Sequence, residues 1–311
     1  MNEEKIKKGL STLSDYAVPE ETDESSEAKE NYSDVGIFDE ESRVDEKMLD
    51  EIWKDPDDDA SEKSDEASFY SSAKLFGKSE EEMTAEFKNY KAQKLLKKIS
   101  LMLTDPYVPL AEFEEKLVSA KSMGLKGASV LYDRVEYALD KAGEGFPVSV
   151  CVCFPYASDD FRSKVVAVKK AVRFPVNAVE VPLNMTDVTE KNYRRVESEY
   201  AKLKRIVGKK DFVLITDVSF LTPNDMNLLS RICKDVGISN VKTSCAMKGS
   251  RVDDIALNNL KAVLGDGVNI IACSSTSNDK DVVGFFAVGA TEYSGTEAIE
   301  LAESIKRVIL A

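Results

Sequence analysis

From about Lys97 onward, short apolar or β-branched runs alternate with stretches whose apolar residues recur at helical spacing. Eight runs read as strands: 99–103, 127–131, 148–154, 178–183, 212–217, 240–244, 268–273 and a weaker one at 290–293. Several, such as VSVCVCF, are apolar on both faces, as in a parallel sheet covered by helices. The segments between them carry helix end signals. One helix is expected from Pro109 to Gly124 with the glycine as its cap, another from Pro223 to Gly237 with proline early and glycine after the end. Order is expected to begin at Ser79, where Ser79 and Glu82 form a capping box and Met83, Phe87 and Tyr90 form an apolar stripe. Lys94 interrupts that stripe and Leu95 resumes it. Eight βα units in about 215 residues fit an α/β fold, a parallel (β/α)8 TIM barrel. A doubly wound open sheet is the alternative, but no GxGxxG or GxxxxGK[ST] loop follows any strand.

Residues 1–78 break this pattern. They are rich in Glu, Asp and Ser, with apolar residues in no sustained period, so they are expected to form an acidic, disordered arm ahead of a barrel domain at 79–311. Charge sharpens the division. Residues 1–70 hold 24 acids and 8 bases, a balance of −16, whereas the remainder balances at +2 and the whole chain at −14. Met48, Leu49, Ile52 and Trp53, with Phe69 and Tyr70, are the arm's apolar patches, and Trp53 is the only tryptophan. They suit docking to a protein partner, against the plainer reading of a solvated tail. Asp55, Asp57, Asp59 and Glu66 fall on calcium-loop positions, but Ala60 stands where glycine must turn and Lys63 takes another ligand position. Calcium binding is therefore rejected.

The chain has no histidine, which excludes Ser-His-Asp and Cys-His triads, HExxH zinc sites and imidazole proton shuttles. Five cysteines without repeated spacing form no disulfide framework and suit a reduced, cytoplasmic setting. Cys151 and Cys153 share a face but lack the further ligands of a metal site, so they read as small core hydrophobes and no metal is expected. Cys245, near the active end, is a candidate reactive thiol. The basic stretches KLLKK and YAKLKRIVGKK read as solvated helix faces rather than a nucleic-acid surface. No run reaches the length of a membrane helix, and no secretory signal opens the chain.

In such a barrel chemistry collects at strand C-termini. The polar residues there are Glu180 in NAVEVPLN, Asp217 in LITDVSFLT, Lys242 in NVKTS and the hydroxyl run Ser274, Ser275, Thr276, Ser277 after NIIAC. A lysine pointing into an apolar lumen is expected to have a lowered pKa and to act as a nucleophilic amine. The competing reading is a structural salt bridge from Lys242 to Asp217 or Glu180. Asp217, Thr243, Ser244, Ser274, Ser275, Ser294 and Thr296 are the candidate substrate-binding groups.

VSVCVCFP, NAVEVPLN and DVGISNVKTS, in this order and spacing, resemble the third, fourth and sixth strand segments of the deoxyribose-phosphate aldolase family of class I aldolases. The resemblance covers residues 97–311 and marks the chain as a divergent member. It implies a lyase without cofactor, whose Lys242 forms a Schiff base with a small aldehyde or sugar phosphate. In the family the lysine condenses with acetaldehyde and the enamine attacks glyceraldehyde 3-phosphate. Glu180 stands where the family's proton-relaying aspartate does. The family's second lysine aligns with Ile271, its fifth-strand lysine with Val213, its second-strand cysteine with Leu131 and its first-strand aspartate with Ser100. Ser274 and Ser275 replace the phosphate-gripping glycine pair, and Asp217 replaces a glutamate. The losses favour a second reading, a barrel without turnover that serves as a ligand-binding or scaffold protein.

If the arm is separable, deleting residues 1–78 is expected to leave the melting temperature within about 5 °C of the full chain. A larger drop places the arm inside the folded domain.

Overall fold

A computed structural model describes residues 79–246, 252 and 254–310. The arm, with its docking patches and the rejected calcium pattern, lies outside the described residues. Helix α1 (Glu80–Leu96) leads into eight strands, β1 (Ile99–Leu103), β2 (Gly127–Leu131), β3 (Val148–Cys151), β4 (Ala178–Pro182), β5 (Asp211–Ile215), β6 (Asn240–Lys242), β7 (Asn269–Ser274) and β8 (Glu292–Gly295). Between and after them run α2 (Leu110–Met123), α3 (Val135–Ala142), α4 (Phe161–Ala171), α5 (Met185–Thr189), α6 (Tyr193–Val207), α7 (Pro223–Val236), α8 (Asp254–Leu264), α9 (Asp279–Ala287) and α10 (Ala298–Leu310). The strands pair in sequence order, all parallel, and β8 closes on β1. The expected TIM barrel is therefore formed. No described helix is long and apolar enough to cross a membrane.

The helix ends follow the sequence signals. Gly124 and Gly237 adopt left-handed conformations after α2 and α7, where a side chain is strained. Thr222 and Asp225 close a capping box ahead of Pro223, and Ser79 and Glu82 close another ahead of α1. The expected stripe on α1 is displaced. Tyr90 is exposed and stacks on Phe87, while Ala92, Leu95 and Leu96 are the residues buried.

Alternation along each strand sorts the core into two shells. Outward residues such as Leu101, Val130, Val150, Val181, Leu214, Val241 and Ile270 join the helices in one large cluster. Inward residues fill the lumen in smaller groups: Ala178, Val213 and Ile271 in one, and Cys151, Ile215 and Cys245 in another, covered by Leu131 and Phe154. Barrel interiors are normally packed with bulky branched side chains. Here the inward positions also include Ser129, Glu180 and Lys242, which changes what the lumen can do.

A second buried charge pair lies outside the barrel wall. Lys164 of α4 and Glu199 of α6 meet at 3.3 Å, with side-chain exposures of 0% and 8%. Removing the acid strands the lysine in an apolar layer. Glu199→Leu is expected to cost about 3–5 kcal/mol of unfolding free energy, and adding Lys164→Met to recover most of it. A double variant no better than the single one means that Lys164 is not the group left unsatisfied.

Candidate active site

Lys242 is the last residue of β6 and is 1% exposed. In register it lies between Ile215 of β5 and Ile271 of β7. Its Nζ donates to Glu180 Oε2 at 2.7 Å and to the Ser129 hydroxyl at 2.9 Å. Ser129 in turn donates to Glu180 Oε1 at 2.6 Å, and the Cys151 thiol donates to Oε2 at 3.3 Å. Strands β2, β3, β4 and β6 thus each send one polar side chain into a shared network. Both charges are fully inside, so each satisfies the other's lost hydration. Of the two salt-bridge partners considered for Lys242, the structure pairs it with Glu180. Asp217 sits past the end of β5, half-buried, where it opens a short 3-10 turn (Val218–Phe220).

The expectation of a lowered lysine pKa is reversed. Burial alone pushes it down, but the adjacent Glu180 carboxylate outweighs burial and holds Lys242 above the ordinary lysine range. No like charge opposes this, because Ile271 occupies the neighbouring inward position on β7. Burial acts on the thiols in the opposite sense to its effect on the lysine. Burial raises Cys153, Cys233 and Cys245 to about 12, Cys273 to about 11, and Cys151 well above the usual thiol value. Cys245 also donates to the Pro155 carbonyl at 3.2 Å, so this candidate reactive thiol is held protonated.

The other candidates separate by what they touch. β6 stops after three residues, and the next two side chains continue its ladder. Thr243 Oγ1 accepts from the Cys273 amide at 2.8 Å, while Ser244 donates to the Cys273 carbonyl at 2.6 Å and caps Ala246. Both hydroxyls are therefore occupied by β7 backbone. Ser274 is buried 3.1 Å from the Tyr293 hydroxyl, which donates to the Thr276 carbonyl at 2.8 Å. Ser294 is fully buried in register between Cys273 and Ser100. Ser275 is exposed and Thr296 half-buried, just ahead of α10. The structure gathers Lys242 and Glu180 and leaves Asp217, Ser275 and Thr296 apart at the strand ends.

Two members of the network were not anticipated from sequence. Ser129 lies in GASVL, where a small residue reads as packing, and Cys151 read as a core hydrophobe. Only the alternation of β2 and β3 against the polar position in β4 signals that they face Glu180. The network borders a cavity of ≈ 110 Å³ that also touches Ser100, Ser149 and Asn177. Its walls include Lys126 and Glu292, an ion pair at the strand N-termini. Toward the C-terminal mouth, Cys151, Ile215 and Cys245 pack with Leu131 and Phe154.

No protein-family profile matches the chain. It is 26% identical over 198 residues to the deoxyribose-phosphate aldolase of Clostridium botulinum strain Eklund 17B, covering 62% of this chain and 89% of that one. The deoxyribose-phosphate aldolase of Mycoplasma mobile is 25% identical over 194 residues, 61% and 88% of the two chains. Among solved structures, the fold matches the aldolase QR15 with a TM-score of 0.65 at 18% identity, over 70% of this chain and 99% of that one. The tetrameric deoxyribose phosphate aldolase of Aeropyrum pernix matches with a TM-score of 0.61 at 17% identity, over 72% and 95%.

The buried pair has a pH signature. With its folded pKa above the ordinary value, Lys242 contributes stability that is fully present below about 10.4 and is lost only as pH rises through the folded value. In Glu180→Gln burial acts unopposed, the folded pKa falls below the unfolded one, and the sign reverses. The variant is expected to be about 3–5 kcal/mol less stable at pH 7. That deficit is expected to narrow toward pH 10 by up to about 1.4 kcal/mol per unit. Urea unfolding at several pH values measures it, and a deficit that stays constant means Glu180 does not hold the charge on Lys242.

Proposed function

Since the chain is a divergent member of the deoxyribose-phosphate aldolase family, we propose that it is a class I lyase whose Lys242 forms a Schiff base with a small aldehyde. The reading rests on one observation: a lysine amine and a carboxylate 2.7 Å apart inside the barrel, on β6 and β4. That is the spacing of a nucleophile and its base. Lys242 begins as an ammonium. Passing a proton to Glu180 frees the amine lone pair, which adds to the carbonyl carbon. The carbinolamine hydroxyl then takes that proton back from Glu180 and leaves as water, giving the protonated imine and restoring the Glu180 carboxylate. Glu180 next removes a proton from the carbon beside the imine, and the resulting enamine attacks a second aldehyde, or the reverse cleaves the bond. Ser129, bridging both groups, keeps them aligned in either protonation state. Ser275 and Thr296, at the ends of β7 and β8, are the hydroxyls open to a sugar phosphate. Asp217 stands past the end of β5, and the buried hydroxyls of Ser274, Ser294, Thr243 and Ser244 lie on β7, on β8 and just after β6, where a substrate reaches them only past the side chains that cover them.

A second reading, a barrel without turnover that binds ligand or acts as a scaffold, is favoured by the depth of Lys242. Its Nζ lies below the apolar group of Cys151, Ile215 and Cys245, and a substrate at the C-terminal mouth reaches it only if those side chains part.

Borohydride reduction with acetaldehyde distinguishes the two. A stable mass increment on Lys242 is expected, rising with pH from 7 to 9 and absent in Lys242→Arg. Ile271→Lys, which places an ammonium beside Lys242, is expected to move the profile to lower pH once circular dichroism shows the variant folded. An increment mapping to another lysine overturns the assignment of Lys242, and no increment at any pH supports the barrel without turnover.

A further inference from the structure

Outside the lumen, a groove of ≈ 480 Å³ runs along α4. Its floor includes Cys153 and its walls Tyr132, Val166 and Ala167, with Arg162 and Lys170 at its two ends. Residues 162, 166 and 170 recur every fourth position, so one exposed stripe of α4 reads cation, valine, cation. Val166 is 50% exposed. From 161 to 171 the chain has four cations and no acid. Among the described residues, neither Arg162 nor Lys170 closes an ion pair. The groove is thus apolar in the middle and positive at both ends.

The same chain carries the complement. Residues 44–59 hold eight acids and two bases around the apolar residues Met48, Leu49, Ile52 and Trp53. Between Trp53 and Ser79 there are 25 residues, which span at most about 80–90 Å. A domain of this size has a radius of gyration of about 17 Å, so the tether reaches any part of its surface. A tethered segment also acts at an effective concentration near the millimolar range, so modest affinity suffices.

We propose that the segment around Met48, Leu49, Ile52 and Trp53 of the chain's own acidic arm docks in the groove along α4, its apolar residues on Val166 and Tyr132 and its acids toward Arg162 and Lys170. The groove's lining, through Cys153 and Ala167, packs with the outer cluster and shares no residue with the Lys242 network. Its occupant is intramolecular, because the tether reaches the groove and holds the segment at high effective concentration beside it.

Trp53 is the only tryptophan, so its fluorescence reports docking in the full-length protein without a label. The emission is expected to be blue-shifted relative to a peptide of residues 44–59, with acrylamide quenching reduced several-fold. The double substitution Arg162→Glu/Lys170→Glu, on exposed positions, is expected to return both to peptide-like values, as is Val166→Asp. Adding Asp50→Lys and Glu51→Lys to the double variant is expected to restore shielding, a rescue that general loss of fold does not give. Reversing two exposed lysines elsewhere, Lys209→Glu/Lys234→Glu, is expected to leave Trp53 shielded. The proposal is overturned if Trp53 is peptide-like in the wild type, if shielding survives substitution of the groove, or if the control pair releases it equally. Shielding that grows with protein concentration also overturns it, since the occupant is then a second copy's arm.

Discussion

An ammonium inside a closed barrel has no water to turn to, and the strands around it must supply what water would have given. In this protein Glu180, Ser129 and Cys151 do so from three other strands, and their hydrogen bonds require β2, β3, β4 and β6 to hold one mutual register. A slip of one residue in any of them turns its side chain to the helices and leaves a charge or a carboxylate unpartnered. Apolar packing tolerates small shifts, whereas a buried charge network does not. The pair therefore specifies the lumen more tightly than its apolar neighbours, whatever its net contribution to stability. It also sets the chemistry, because the carboxylate that makes the lysine tolerable is the one that keeps it protonated.

Most of the barrel was legible in the sequence because two periods coexist in it. The predicted runs at β1 and β2 coincide with the observed strands, since a lysine precedes each (Lys98, Lys126) and an aspartate follows within two residues (Asp105, Asp133). Others ended early for local reasons. The run at β3 continues as apolar sequence to Phe154, but Cys153 adopts a left-handed backbone and leaves the sheet after Cys151. The run at β6 continues to Ser244, yet side-chain hydroxyls replace the last ladder bonds. Apolar character reports burial, and burial continues past the point where pairing stops.

The site was legible to a different depth. Lys242 and Glu180 stood out because polar residues in apolar strands have few innocent explanations. Ser129 did not, since serine beside glycine and alanine also suits close packing. The direction of the lysine shift was misjudged for a related reason. Burial was visible in the pattern, whereas the distance to the counter-charge depends on the stagger of strands 62 residues apart, which no local period encodes. The alignment of Ile271 beside Lys242, by contrast, agrees with the β6–β7 register, because a single βα unit separates those strands.

The five thiols give the protein an internal clock. Four are buried, Cys153 is half-buried, and burial keeps all of them in the poorly nucleophilic protonated form. They therefore react with alkylating reagents slowly unless the structure opens around them. Cys233 sits on α7 in the outer shell, Cys151, Cys245 and Cys273 line the lumen, and Cys153 floors the groove on the outer wall. Their separate labelling rates turn one native chain into a map of where the barrel breathes, shell by shell, without a single introduced probe.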